Sequence, residues 1–259
     1  MVSKKASPID GTVTIMVVLV LLVPSVLPNP TAEFRKIFLK KCSEFSKGTA
    51  NGEKILATFE KAYVGKDKCH VFGKDYDELF AENPFKHPCG KTMLWSKTED
   101  VVHKFTGTGD CYITMRHTLL GYVLNGLSWY GKVNSKETFT EHFEYCEPNP
   151  VSSFWQIAST KFAQHACGHV TVMLNGEIDE PYDPKSFFAL YEVPNLQPAE
   201  VKQLTVLLVG DKKNQCNNES LKNLKNILKG KNIEYDCKEM TQSHIEKCIR
   251  ENNGCGACL

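Results

Sequence analysis

The segment NPVSSFWQIASTKFAQHACGHVTVMLNG, residues 149–176, contains the change of pattern that decides the fold. Its first part repeats apolar residues at three- and four-residue spacing, which predicts a helix beginning near Ser152 or Ser153 and ending at Gly168. From His169 the apolar positions form a β-type run that turns at Asn175-Gly176. Upstream, AEFRKIFLKKCSEF and GEKILATFEKAYV, then DYDELFAENPF and TLLGYVLNGLSWYG, keep helical spacing. Downstream, QLTVLLVG reads as a strand, followed by helix ESLKNLKNILKG, strand NIEYDC and helix SHIEKCIRE, the order of a small parallel α/β layer. The expected fold is therefore α+β. A helical N-terminal lobe over residues 31–166 would meet a C-terminal lobe over 167–259, whose small parallel sheet is flanked by helices, with a cleft between the lobes and residues 91–117 able to pack with the second.

The 259 residues supply enough chain for a sizeable core, and a net charge of +1 offers no electrostatic basis for nucleic-acid binding. Residues 1–30 stand apart. Lys4 and Lys5 precede an uncharged apolar run from Val13 to Val23, which reads first as a cleavable signal peptide, the rival being an uncleaved signal anchor attaching the chain to a membrane. Either assigns the rest of the chain to the secretory pathway, on the lumenal or extracellular side. Eleven cysteines spread over that remainder read as a disulfide framework of up to five bridges with one thiol left over. Asn218-Glu219-Ser220 is a glycosylation sequon suited to a lumenal surface.

The common nucleotide and hydrolase signatures are missing, including G-x-x-x-x-G-K-[ST], G-x-G-x-x-G and G-x-S-x-G. His165 and His169 flank Cys167 at metal-ligand spacing, yet Cys167 is wanted by the disulfide framework, so no metal site is assigned. Of three tryptophans, two have hydroxyl neighbours: Trp95 is followed by Ser96, and Trp155 has Ser159 one helical turn later. Each pair offers an aromatic face beside a hydrogen-bonding group, suited to a planar cationic ring that carries phosphate. In KSFFALYEVPNLQP, residues 185–198, a strand reading puts Glu192 on the face of Phe188 and Leu190. The simpler alternative ends the strand there, with Pro194 and Asn195 turning the chain and Glu192 in solvent.

In order and spacing, KHPCG, LWSK, TLLGYVLNGLSWYG, the 149–176 segment and SFFALYEVPNLQP resemble the ADP-ribosyl cyclase / NAD glycohydrolase family over residues 34–255. The resemblance implies an enzyme that splits the nicotinamide–ribose bond of NAD, or of NADP, to give ADP-ribose, cyclic ADP-ribose or both. NAD is the substrate, and no metal or other cofactor is implied. It makes Glu192 the catalytic carboxylate, Trp95 and Trp155 the aromatic mouth, and Ser96, Ser159 and Phe188 pocket residues. Lys97 stands where a family member has arginine, which keeps the charge and loses the bidentate fork. Where the family carries Thr-Leu-Glu-Asp-Thr, this chain has Thr114-Met115-Arg116-His117-Thr118, so Arg116 replaces an acidic residue and becomes a specificity position together with Asn125. That reversal also leaves open a catalytically weak ectodomain serving adhesion or receptor binding. The expected bridges are Cys42–Cys69, Cys89–Cys146, Cys111–Cys167, Cys216–Cys237, and Cys248 with Cys255 or Cys258.

Overall fold

A computed structural model describes residues 30–138 and 145–252. The N-terminal apolar segment, Cys255 and Cys258 lie outside the described residues. Helices α1 (Pro30–Ser46), α2 (Gly52–Lys61) and α3 (Asp77–Glu82) are followed by strand β1 (Met93–Ser96), helix α4 (Glu99–Thr106), helix α5 (Leu119–Leu124) and helix α6 (Pro150–Gln164). Strands β2 (Gly168–Asn175) and β3 (Val201–Val209), helix α7 (Glu219–Gly230), strand β4 (Glu234–Met240) and helix α8 (Gln242–Arg250) complete the chain. Helix α6 starts slightly earlier than its apolar spacing suggests. Asn149 caps it by accepting from Ser152 N, and Pro150 occupies the first turn, where a missing N–H costs nothing.

The sheet is parallel with order β1-β2-β3-β4, so a strand from the first half of the chain forms its edge. Its two faces enter different cores. Leu94, Val170, Val172, Leu204 and Val206 join the large core shared with the helices. Met93, Met173 and Leu207 point the other way, into a smaller core with Val102 and Phe105 of α4 and Ile245 and Cys248 of α8. This alternation is the period-two geometry of strands covered on both faces. In the helical lobe, Phe59 packs edge-on to Trp129 with ring centroids 5.1 Å apart. Trp129 Nε1 donates to Tyr76 Oη at 3.0 Å, and that hydroxyl donates to the Pro150 carbonyl at 2.8 Å. Trp129 is therefore a core tryptophan with its polar atom satisfied.

Two sequence expectations are corrected. SFFALYEV forms no strand. Phe188–Glu192 is a turn of π-helix closed by Val193 N donating to the Phe188 carbonyl, and it runs into a 3-10 turn at Val193–Asn195. Ser186 Oγ accepts from Ala189 N to start the helical segment, and Ala and Leu favour helix, so a short apolar run was settled by its ends. The disulfide pairing also differs: among the described residues the bridges are Cys69–Cys146, Cys89–Cys167 and Cys216–Cys237, of which only the last was expected, while the partners expected for Cys248 lie outside the described residues. Pairing of β1 with β2 brings their entry segments together, with Gly90 N donating to the Cys167 carbonyl at 2.8 Å, which gives Cys89 to Cys167. Cys146 is then free for Cys69, and Cys111 and Cys248 are oxidised as well.

Cys42 forms no bridge. It is buried inside the helical lobe against Gly52 and Leu39, and burial pushes its thiol up to about 11. A thiol so placed holds almost no thiolate at neutral pH. Iodoacetamide applied to the native protein, followed by peptide mapping, is expected to leave Cys42 unlabelled until denaturant is added. Cys42→Ser is expected to lower stability by about 1–3 kcal/mol in chemical denaturation, the cost of a buried hydroxyl without a partner.

Candidate active site

A cavity of about 410 Å³ opens where the carboxyl end of β1 faces α6 and the π-helical turn. Three walls build it. From β1 come Trp95, Ser96 and, immediately after the strand, Lys97. From α6 come Trp155, Ser159 and Phe162, one stripe at helical spacing. From the π-helical turn come Phe188 and Glu192, and the turn carrying Arg116 adds that residue with Asn125 at the end of α5. The structure thus gathers Trp95, Ser96, Lys97, Trp155, Ser159, Phe188, Glu192, Arg116 and Asn125 around one space. Asn218 lies apart, capping α7 by accepting from Ser220 N.

Glu192 is only 7% exposed. The Ser159 hydroxyl lies near enough to its carboxyl group to favour the charged form, and Oε2 is buried without a partner among the described residues. Burial pushes its pKa up to about 8, against the smaller opposing effect of Ser159. An acid held this way has one free oxygen and a charge state that responds to whatever enters the cavity. Trp95 packs edge-on against His103 of α4, with ring centroids 5.6 Å apart. Trp155 is fixed edge-on by Phe154 at 5.0 Å.

Arg116 sits in a 3-10 turn, Met115–His117, tied at both ends. Thr114 N donates to His117 Nδ1 at 3.1 Å, and Thr118 Oγ1 donates to the Met115 carbonyl at 2.6 Å. Gly121 lets α5 pass that carbonyl, since a methyl group there would collide with it. At the mouth, Lys97 adopts a left-handed backbone (φ 56°) and forms an ion pair with Asp183 at 2.8 Å.

Sequence reasoning missed Glu99, His103, Met115, Gly121, Ser186 and Phe187, which also line the cavity. Two of these carried a signal. Glu99 and His103 are four residues apart in the helix that follows LWSK, so they share its inward face.

The fold and cavity set two tryptophans and a buried carboxylate around one space, an arrangement suited to a planar, cationic ring. A sequence profile of the ADP-ribosyl cyclase family matches residues 31–257. The chain belongs to that family. It is 34% identical over 223 residues to ADP-ribosyl cyclase/cyclic ADP-ribose hydrolase 1 of Rattus norvegicus, covering 81% of this chain and 74% of that protein. It is 30% identical over 267 residues to ADP-ribosyl cyclase/cyclic ADP-ribose hydrolase of Aplysia californica, covering 96% and 95%. Porcine CD38 complexed with a covalent intermediate, ribo-F-ribose-5′-phosphate, superposes with a TM-score of 0.77 at 37% identity, covering 82% of this chain and 97% of that one. Aplysia cyclase complexed with substrate NGD and product cGDPR gives 0.75 at 29% identity, covering 88% and 96%. The bridged cysteines accord with the secretory pathway or extracellular space.

The Glu192 carboxyl holds its proton in the fold after an unfolded chain has lost it. Between the ordinary value of 4.5 and about 8, the folded state binds the extra proton, so stability falls as pH rises through that window. Every tenfold difference in proton affinity between the two states is worth about 1.4 kcal/mol. Glu192→Gln, which cannot ionise, is expected to melt above the native protein at pH 8 and nearly with it at pH 5. Melting curves across that range check this, and a gap independent of pH would refute it.

Proposed function

We propose that this chain cleaves the nicotinamide–ribose bond of NAD, with NADP a second substrate, releasing nicotinamide together with ADP-ribose, cyclic ADP-ribose or both. The observation that carries the reading is Glu192, buried with an unpartnered oxygen in a cavity lined by two half-buried tryptophans. The bonding pair of the glycosidic C–N bond leaves with the ring, which becomes neutral nicotinamide, and positive charge develops on the ribose carbon. An ionised Glu192 stabilises that charge and accepts from the ribose hydroxyls, and its burial strengthens the interaction. The cationic ring itself favours ionisation of Glu192 as it enters.

Trp95 and Trp155 hold the departing ring, and Ser159 orients the carboxyl group. Water then captures the ribosyl centre and releases a proton, giving ADP-ribose, or the adenine ring attacks and gives the cyclic product. Arg116 places positive charge against a cationic ring, which weakens hold on the substrate and hastens departure of the neutral product. The reaction draws on side chains and water alone, with NAD as substrate. A module retained only for adhesion would have no use for an ionisable group buried at this cost. In the secretory pathway, entered through the apolar N-terminal segment, Asn218 accepts an N-linked glycan.

The secreted, oxidised protein incubated with NAD is expected to release nicotinamide, with ADP-ribose and cyclic ADP-ribose resolved by chromatography. Glu192→Gln is expected to slow release about a hundredfold or more. Undiminished release from that variant, or none from a folded native protein, would refute the reading. Because the free enzyme must ionise Glu192, kcat/KM is expected to rise with pH and level off above about 8. A flat profile from pH 5 to pH 9 would contradict this.

A further inference from the structure

Lys97 lines the cavity mouth, yet its ammonium is already engaged by Asp183 Oδ2 at 2.8 Å. Asp183 is an oriented anion. Its Oδ1 accepts from Lys185 N at 2.8 Å, and its carbonyl accepts from Ser186 Oγ at 2.7 Å and Ser186 N at 3.0 Å. The Asp183 carboxylate is thus built into the turn that delivers Ser186, Phe187 and Phe188 to the cavity wall. The Lys97 ammonium holds this carboxylate below its usual range, with help from the Lys185 amide, so it stays charged at neutral pH. Lys97 is fixed from its own side, since its left-handed backbone at the end of β1 sets where the side chain departs.

We propose that Asp183 sets the affinity of the cavity: it occupies Lys97 when no ligand is bound, and the diphosphate of an entering dinucleotide must displace it. The proposal rests on the reading of the cavity as a dinucleotide site. Binding then exchanges one Lys97 anion for another, so the phosphate contributes only the difference between the two pairs. Affinity is held down by a residue that touches no reacting atom, and product carrying the same diphosphate leaves more readily.

Asp183→Asn tests this cleanly, because an amide oxygen still accepts from Lys185 N while the charge is lost. ADP-ribose is titrated by tryptophan fluorescence into the native protein, Asp183→Asn, Lys97→Met and the double variant. Asp183→Asn is expected to bind about two- to fivefold tighter, the scale of one exposed ion pair. Lys97→Met is expected to bind more weakly than the native protein, and in that background Asp183→Asn should change little. Unchanged or weaker binding by Asp183→Asn overturns the proposal. So does an equal gain with Lys97 absent, which would mean general repulsion, and so does a lack of saturable binding in all four proteins. The same substitution should lower KM for NAD and leave the melting temperature in place, whereas a merely structural role in the turn would lower the melting temperature. Nicotinamide release by the native protein separates a failure here from a failure of the catalytic reading, since ADP-ribose binding is measured without turnover.

Discussion

The parallel pairing of β1 with β2 is the constraint on which the site depends. Met93–Ser96 belongs by sequence to the helical half of the chain, yet it hydrogen-bonds as the edge of a sheet whose other strands come from the C-terminal half. Closing a connection of that length is entropically costly, and the Cys89–Cys167 bridge at the entry to both strands restrains it. Once β1 is set, Trp95, Ser96 and Lys97 leave its carboxyl end facing α6. Ligand sites of parallel sheets belong at such ends, where strand termini and loops leave a crevice that helices do not fill.

Within that crevice lies one group the fold does not want in its charged form. Glu192 is buried with Oε2 unpartnered among the described residues, and that burial favours its protonated form. A cation entering the cavity reverses the preference. The same burial that penalises the carboxylate in the folded chain strengthens its attraction for a developing positive charge, and stability is given up where chemistry gains. The tryptophans contribute differently: each is backed by an edge-on ring, His103 or Phe154, so the walls are set before a ligand arrives.

Much of this was legible in the sequence because the relevant spacings are short. Trp155 and Ser159 lie one helical turn apart and had to share a face of α6. Glu192 shows why a wrong element still led to the right neighbour. Phe188 and Glu192 are four residues apart, an even number that puts them together on a strand and close to one turn that puts them together on a helix. Leu190, two residues from each, distinguishes the cases: a strand would place it beside Glu192, whereas here it is 51% exposed. Apart from Cys216–Cys237, the described disulfide pairing was not legible, since Cys89 meets Cys167 through strand pairing rather than any local pattern, and Cys42 is excluded by its place inside a helical core. Asp183 escaped notice because only the left-handed turn at Lys97 brings the two together.

The smaller of the two cores has a consequence for how the protein comes into being. Trp95 packs against a cluster that takes Met240, Ile245 and Cys248 from the end of the described chain, around Val102 and Phe105 of α4. A chain emerging from the N-terminus can collapse its helical lobe early, since α1, α2 and α3 supply the aromatic cluster among themselves and with α6. The part of this cluster that α8 contributes is missing until that last helix has been synthesised and docked. The Trp95 side of the cavity is therefore completed only when the end of the described chain joins a strand and a helix made much earlier.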